Sequence, residues 1–153
     1  MRGCNHMATV TVFNRYDATP TDTRYYATVI EGVKLQVDKA AAVSASGLKD
    51  ADAMWCSIPY TPTDSGITIN EAPYLSPKEW AAQTGDAMEQ SLTFDEGRDI
   101  LMDGEWDGPK VVYDADYIRV GFLGYLRSRF DGVYLINSAS RYDLIPHFEI
   151  GGA

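Results

Sequence analysis

Apolar and polar residues alternate in many short stretches of this chain, and turn-forming residues separate most of them. Alternation with a period of two places one set of side chains on each face of a β-strand. Many short strands between turns are typical of a small barrel or sandwich. The pattern predicts strands at residues 9–13, 25–31, 33–37, 53–60, 91–94, 99–106, 133–139 and 145–150.

Glycine, proline and small polar residues mark the connections between these strands. Gly32 separates two stretches that would form one long bent strand with a β-bulge at this glycine. Pro59 would put the end of its strand at a sheet edge, because proline cannot donate a ladder hydrogen bond. The composition predicts a loop at residues 14–23 and a turn cluster at residues 61–66, within a longer irregular stretch at residues 61–73. It also favours a loop at residues 40–53, with a weak helix as the alternative.

Two stretches favour helices instead. Ser76, Pro77 and Glu79 form a typical helix start, and this short helix should end near Gly85. A second helical pattern, with Asp114 as its cap, runs to residue 130, although a strand at residues 117–122 remains an alternative. One face of this helix would carry apolar residues that recur in steps of four: Ile118, Phe122, Leu126 and Phe130.

The length of 153 residues and the apolar content of 45% suit one domain with a core of its own. We interpret residues 7–153 as that domain and residues 1–6 as a disordered tail, either an expression remnant or an upstream start. The net charge of −9 argues against binding to a phosphate backbone, which needs clusters of Lys and Arg. No stretch approaches the ~18 apolar residues of a membrane span. Cys4 and Cys56 make no disulfide framework, so a reduced cytosolic setting is expected.

Two short motifs resemble catalytic or metal sites but lack essential parts. His147 and Glu149 would share one strand face, yet no nucleophile lies near them in the sequence. Asp114 and Asp116 match two positions of a calcium loop, without its further ligands, its glycine and its terminal glutamate. We interpret the histidine as structural and the aspartates as caps, and we expect neither a metal nor a cofactor.

Other reactive side chains also have structural explanations. Cys56 follows Trp55 on an apolar strand and is interpreted as a buried thiol. Arg127 and Arg129 would complement the dipole at the end of the second helix, with an anion site as the alternative. Carboxylates at residues 95–105 flank glycine-containing turns, so we interpret them as turn residues rather than as a glycosidase pair. These carboxylates are Asp95, Glu96, Asp103 and Glu105.

The remaining signal is the aromatic content of ten tyrosines and three tryptophans, which exceeds the need of one small core. Tyr and Trp are favoured where proteins touch partners. This content favours a binding or assembly role and names no partner.

Four stretches are informative when they are taken together: TVTVFNRY at residues 9–16, YYATVIEGV at 25–33, DGVYLINS at 131–138 and PHFEIGG at 146–152. In this order they resemble a family of small structural proteins encoded in prophages of Gram-positive bacteria. Such proteins are often described as minor capsid proteins, among the head-to-tail connection genes of long-tailed phages. The resemblance covers most of the chain from Met7 onward and is weakest at residues 43–90.

The resemblance implies a head-closure, or stopper, protein of the virion neck, which is in the host cytoplasm before assembly. The implied fold is mainly β (α+β), a small SH3-like β-barrel with long loops and one or two short helices. Copies would form a ring, a hexamer or dodecamer, below the portal and adaptor proteins and above the tail terminator or tail tube. The negative lumen would pass DNA without specific binding. No catalytic residue and no membrane contact are expected.

Contacts between subunits are expected at two places. The tip at residues 61–69 would face the lumen or a neighbour, and the last strand would close a sheet. The candidate interface residues are Thr61, Asp64, Ile67, Ile69, Phe148 and Ile150. The alternatives are a tail terminator or other neck ring protein, a small hydrolase that uses the carboxylates at residues 95–105, and a host-side ligand-binding module.

Overall fold

The computed structural model describes residues 7–38 and 53–153 of the chain. The expected tail at residues 1–6 and nearly all of the expected loop at residues 40–53 lie outside the described residues. The described strands are β1 (Met7–Thr19), β2 (Asp22–Val37), β3 (Met54–Pro59), β4 (Thr61–Thr63), β5 (Gly66–Ile69), β6 (Ala72–Tyr74), β7 (Ile100–Asp103), β8 (Val111–Tyr113), β9 (Val133–Tyr142) and β10 (His147–Gly152). The described helices are α1 (Pro77–Ala81), α2 (Gly121–Arg129) and two 3₁₀ segments, Gly85–Gln90 and Asp114–Asp116.

Six antiparallel strands close into a barrel in the order β1-β7-β9-β10-β3-β2, and β2 pairs back onto β1. β8 adds to the free part of the outer edge of β2, next to Arg24 and Tyr26. A separate small sheet has the order β4-β5-β6. The expectation of a mainly β fold with a small barrel and few short helices is confirmed.

The barrel interior holds the main hydrophobic core, because alternate residues of each strand point inward. Fifteen buried side chains form this core: Val10, Val12, Ile30, Val33, Met54, Cys56, Ile58, Tyr60, Ile69, Leu92, Phe94, Leu101, Ile136, Phe148 and Ile150. A second core lies outside the barrel, where α2 covers part of it with Phe122 and Leu126. There the ring of Phe122 makes an edge contact with Phe13, with 5.0 Å between centroids.

Gly32 forms the expected β-bulge inside one continuous strand. The register of β2 against β1 shifts here, because Ala8 pairs with Val33 whereas Thr9 pairs with Glu31. Gly32 has a φ of +75°, a conformation that glycine adopts without steric cost. The bulge therefore allows β2 to bend. This one strand pairs with β1 along one edge and with both β8 and β3 along the other.

The loop expected at residues 14–23 is wrong, because β1 runs on to Thr19 and a short turn leads directly into β2. The polar side chain of Asn14 is buried and satisfied in this strand. Its Nδ2 donates to the carbonyl of Thr93 at 2.6 Å and to Asp99 at 2.8 Å. Tertiary hydrogen bonds thus keep a residue with a turn preference in a strand.

The second helix is shorter than expected. It begins at Gly121, and the positive φ values of Arg119 (84°) and Gly121 (72°) break the helical path before it. Asp114 still caps this helix from a distance, since its Oδ1 accepts from the N–H of Phe122 at 2.8 Å. Phe122 and Leu126 of the expected apolar stripe are buried, whereas Ile118 is exposed.

The first helix confirms its sequence signal. Ser76 and Glu79 form a reciprocal capping box, and Pro77 occupies the first turn. The helix ends at Ala81, four residues before Gly85. Burial of Trp80 against Tyr26 fixes this short helix to the barrel.

Three expectations about strands and loops need correction. Residues 91–94 make only an isolated bridge at Leu92, and the strand expected at residues 99–106 is limited to β7. Residues 61–73 are regular rather than irregular, because they form the small β4-β5-β6 sheet. β3 lies between β10 and β2 in the barrel sheet. Its end at Pro59 is at a sheet edge, as expected, because Pro59 pairs with His147 alone, beyond the last residue that pairs with β2.

Candidate functional site

The hairpin between β9 and β10 ends in an apolar tip, which we define as Leu144 and Ile145. Leu144 is 97% exposed and Ile145 is 74% exposed. Single exposed aliphatic residues are common on protein surfaces, but two adjacent ones at this level need an explanation. The turn that carries them is therefore a candidate contact site.

Side chains at the base of the tip hold its backbone in place. The hydroxyl of Tyr60 donates to the carboxylate of Asp143 in a short hydrogen bond, and the N–H of Tyr60 donates to the carbonyl of Pro146 at 3.3 Å. Arg141 forms an ion pair with the same carboxylate at 3.1 Å. The tip is thus attached to the end of β3 as well as to its own hairpin.

His147 fixes the other side of the turn. Its Nδ1 donates to the carbonyl of Ile145 at 2.7 Å, and its Nε2 lies 3.1 Å from a carboxylate oxygen of Glu149. Its ring stacks on Tyr142, with 5.0 Å between centroids and an angle of 11° between planes. A turn held by this many contacts presents its two apolar side chains in one preorganised arrangement.

These hydrogen bonds also shift the acid–base behaviour of the turn. The hydrogen bond from Tyr60 is the largest influence that lowers the pKa of Asp143, and the same bond raises the pKa of Tyr60. The hydrogen bond to the carbonyl of Ile145, followed by that to Glu149, raises the pKa of His147. The turn therefore pairs its charges internally, which leaves the apolar tip as its free surface.

A second exposed apolar pair, the helix patch, consists of Ile118 and Val120 just before α2. Ile118 is 80% exposed and Val120 is 63% exposed. Arg119 between them has a left-handed backbone, which places the two apolar side chains outside the second core. The chain therefore carries two separate apolar pairs, one on a strand hairpin and one at a helix start.

A groove of about 500 Å³ lies between the loop before β7 and the β9–β10 hairpin. Asp95 and Glu96 are at its rim, but both have structural partners. Asp95 pairs with Arg98 at 3.3 Å, and Glu96 accepts from the N–H of Ala139 at 3.0 Å. Glu96 thus attaches the loop to β9, whereas Asp95 is paired within the loop.

Asp99 is the one acid in this region with a strongly raised pKa. Burial raises the pKa of Asp99 to about 7, although three N–H donors favour its ionised form. Those donors are the backbone of Arg15, the side chain of Asn14 and the backbone of Asp95, each at 2.8 Å. Asp99 has no exposed surface, so no substrate can reach its carboxylate.

The sequence-predicted interface residues do not lie together on one surface. Thr61 and Asp64 are exposed in the β4–β5 hairpin, and Ile67 is half-buried on β5. The remaining three are core residues, so their assignment to a contact surface needs correction: Ile69, Phe148 and Ile150 are buried in the main hydrophobic core. The last strand does close a sheet as expected, but this sheet belongs to the chain itself, since β10 lies between β9 and β3.

Other candidate residues have defined structural positions. Cys56 is a buried free thiol, as expected, and burial raises its pKa to about 12. Arg127 donates to the carbonyl of Ala153 at 2.9 Å, and the guanidinium of Arg129 lies 5.6 Å from the ring centre of Tyr125. Within residues 7–38 and 53–153, no three His, Cys, Asp or Glu side chains are grouped to hold a metal ion. No helix in this part of the chain is long and apolar enough to cross a membrane.

Comparison with known proteins gives one match. The model of DUF6751, a family of unknown function, matches residues 5–153. The chain belongs to this family. No curated protein and no solved structure matches it significantly. The matched region includes the whole barrel and both apolar pairs. The family description assigns no activity.

Sequence reasoning missed the apolar tip because it placed Ile145 in the last strand. The strand begins only at His147, after Pro146. A signal was present, since Leu144 and Ile145 stand between Asp143 and a proline, in a segment with turn-forming residues at both ends. Two aliphatic residues in a turn are better explained by a contact than by a core.

Proposed function

We propose that this chain is a structural subunit of the phage head-to-tail connector, a head-closure protein that forms a homo-oligomeric ring. The observation that carries the proposal is the rigidly held, exposed apolar tip at Leu144 and Ile145. The resemblance of the four sequence stretches supplies the biological setting. The ring would retain packaged DNA and offer a docking surface to the tail.

Ring closure needs a contact between two different surfaces of identical subunits. The tip and the helix patch are two such surfaces, and both lack apolar partners within the described chain. Complete burial of an aliphatic side chain contributes roughly 1.5–3 kcal/mol. Two such residues per contact, repeated around a ring, support assembly of a subunit whose barrel is already closed.

The charge of the chain agrees with a channel that passes DNA. The net charge of −9 gives a surface that repels a duplex instead of binding it. A DNA-binding protein would need a cluster of basic residues. The negative charge therefore supports a channel wall that does not bind the DNA passing through it.

Mutation of the tip tests the assembly directly. We expect Leu144→Ser/Ile145→Ser to stay monomeric in analytical ultracentrifugation under conditions where the wild-type chain forms a ring. The matched control is Val37→Ser, which removes an exposed apolar side chain elsewhere on the barrel and should leave assembly unchanged. Equal oligomerisation of the tip variant and the wild type would contradict the proposed contact.

Mixing two variants tests the identity of the two surfaces. A tip variant keeps an intact helix patch, and the variant Ile118→Ser/Val120→Ser keeps an intact tip. An equimolar mixture should form a one-to-one heterodimer and no ring, because only one productive contact remains. Absence of any heterodimer would show that the tip does not bind the helix patch.

The biological setting needs a separate measurement. Electron cryomicroscopy of the native virion should show this chain as a ring between portal and tail. Its absence from the particle would refute the connector role, whatever the oligomeric state of the isolated protein.

A further inference from the structure

The outward face of four neighbouring barrel strands forms a polar platform. Residues that pair directly across antiparallel strands share a face, and the burial of Phe148 and Ile150 shows that the intervening residues of β10 face outward. The register then places these residues of the four strands on the platform: Lys34 and Gln36 of β2, Trp55, Ser57 and Pro59 of β3, His147, Glu149 and Gly151 of β10, and Ser138, Ser140 and Tyr142 of β9. Met7 of β1, which pairs with Lys34, continues this face at its edge.

Two aromatic rings lie on this platform and remain accessible. Trp55 is 42% exposed. Tyr142 is 46% exposed, and one face of its ring stacks on His147, which leaves the other face for a ligand. Trp55 pairs with Gly151, whereas Tyr142 pairs with His147, four residues away along β10. Two strand spacings and four residue steps put the rings roughly 16 Å apart, by the usual dimensions of a sheet.

Small polar side chains occupy the area between the two rings. Ser57 and Ser140 pair with Glu149 from its two sides, so two hydroxyls flank one carboxylate. A depression of about 300 Å³ extends from Glu149 past Ser57 to Trp55. Its other lining residues are Lys34, Leu35, Gln36 and Cys56. Hydroxyl, carboxylate and ammonium groups thus lie within reach of a ligand that stacks on the indole.

We propose that this platform binds a short oligosaccharide, with Trp55 and Tyr142 as stacking surfaces. A pyranose ring has an apolar face of C–H groups that packs against an aromatic ring, and its hydroxyl groups bond to the small polar side chains beside it. The distance between the two rings fits separate sugar units of one extended chain. This inference goes beyond the connector role and does not depend on ring assembly.

The composition of the platform distinguishes this ligand from a protein partner. The centre of a protein interface is apolar and depleted in charge. Leu35 and Cys56 border the depression, and Met7, which is 58% exposed, pairs with Lys34 at the edge of the platform. The other platform side chains are mostly small or polar, and the two rings are its main apolar groups. The platform carries one lysine, Lys34, and one carboxylate, Glu149, which lies 3.1 Å from Nε2 of His147, on a chain whose net charge is −9. A near-neutral, hydroxyl-rich face on an acidic protein suits a neutral sugar chain.

Tryptophan fluorescence offers a selective probe of the platform. The chain has three tryptophans, of which Trp80 is buried and Trp106 is half-buried with its Nε1 bonded to the carbonyl of Pro109 at 3.0 Å. Trp55 should therefore dominate quenching by acrylamide. A bound sugar ring should protect it from the quencher and shift its emission to shorter wavelength.

The experiment screens an array of defined neutral oligosaccharides, including cellohexaose, chitohexaose and mannohexaose, and then titrates the best binder in solution. We expect binding by the wild-type chain with protection of Trp55. Trp55→Ala should weaken binding roughly tenfold or more, as for a central aromatic contact, and Trp55→Phe should lose less. The matched control is Tyr113→Ala, which removes an exposed ring from β8, outside the platform.

Three outcomes would overturn the proposal. One is that no oligosaccharide of the array binds, and another is that Trp55→Ala binds as well as the wild type. The third is that Trp55→Ala abolishes self-association while no sugar binds, which would make the platform a protein interface. The variant Leu144→Ser/Ile145→Ser should keep sugar binding, so failure of the ring contact and failure of this inference are separately visible.

Discussion

The buried carboxylate of Asp99 joins β1 to the loop before β7. Its three N–H donors come from both segments, namely Asn14 and Arg15 on one side and Asp95 on the other. Burial raises the pKa of this acid to about 7, since the charged form loses its hydration. The stability of the fold should therefore depend on pH through this single residue.

The sign of this dependence follows from the two pKa values of Asp99. The pKa of about 7 in the folded chain lies above the ordinary value of 3.8. Between these two pH values, Asp99 therefore holds its proton more often in the folded chain than in the unfolded chain. Stabilisation that is complete below about pH 4 is lost as the pH rises toward 7, by at most about 1.4 kcal/mol per pH unit. We expect the free energy of unfolding to fall between about pH 4 and pH 6, and Asp99→Asn to reduce this slope, as measured by urea denaturation.

Other titrating groups act outside this pH window. The pKa values of Asp17, Asp22 and Asp143 are lowered, so their stabilisation is lost only as the pH falls below 3.8. The pKa of His147 is raised above 6.5, so its contribution is lost only at higher pH. The control Asp86→Asn changes an exposed acid and should keep the wild-type slope. An unchanged slope in Asp99→Asn would contradict the assignment to this carboxylate.

At the scale of single elements, the bulge of β2 depends on Gly32. Its φ of +75° is disfavoured for other residues, while the space around it is open, since an added Cβ would meet only the Cε of Met7 at 4.0 Å. We expect Gly32→Ala to lower the free energy of unfolding by roughly 1–2 kcal/mol, through backbone strain alone. Gly32→Asn should lose less, because asparagine tolerates this conformation. Equal stability of the alanine variant and the wild type would show that the bulge can relax.

The last strand is fixed in the barrel by Phe148. Its ring lies 4.7 Å from that of Tyr74, 5.1 Å from that of Phe94 and 5.3 Å from that of Tyr60, centroid to centroid. We expect Phe148→Ala to cost about 3–5 kcal/mol in chemical denaturation, and Phe148→Asp to prevent folding, since it would bury an unpaired charge. The neighbouring control Glu149→Ala points outward and should change stability little. A folded, fully stable Phe148→Asp variant would contradict the burial of β10.

The elements that the sequence predicts well are those whose signals are local. The capping box at Ser76 and the bulge at Gly32 each depend on a few adjacent residues, and both are present. The extension of β1 beyond Asn14 depends on Thr93 and Asp99, which are about 80 residues away in the chain, so a local pattern predicts a loop there. The helix start at Gly121 likewise depends on a contact with Asp114.

The candidate site was less predictable than the fold. Leu144 and Ile145 are exposed because they lie beyond the last residue pair of β9 and β10. The alternation of apolar and polar residues alone places Ile145 inside the last strand. The platform around Trp55 depends on the order of four strands in the barrel, which a periodic pattern does not specify. Sequence patterns therefore predicted most of the barrel strands, with errors at their ends and in residues 61–73, and did not predict which strands become neighbours.

At the scale of the whole molecule, charge and apolar contact act against each other in assembly. Each copy of the chain carries a net charge of −9, so identical subunits would repel one another in the proposed ring. The proposed contact between the tip and the helix patch is apolar and is not weakened by dissolved ions. Salt screens the repulsion, because the Debye length falls from about 30 Å at 0.01 M to about 10 Å at 0.1 M ionic strength.

Assembly of this chain should therefore become stronger as the salt concentration rises. We expect sedimentation velocity to show a larger oligomer fraction at about 0.5 M NaCl than at about 0.02 M at the same protein concentration, because screening weakens the long-range repulsion while apolar burial persists. The variant Leu144→Ser/Ile145→Ser should remain monomeric at both concentrations, which separates screening from nonspecific salting-out. A wild-type oligomer that dissociates as salt rises would mean that ion pairs hold the subunits together, and the apolar tip would then not be the assembling surface.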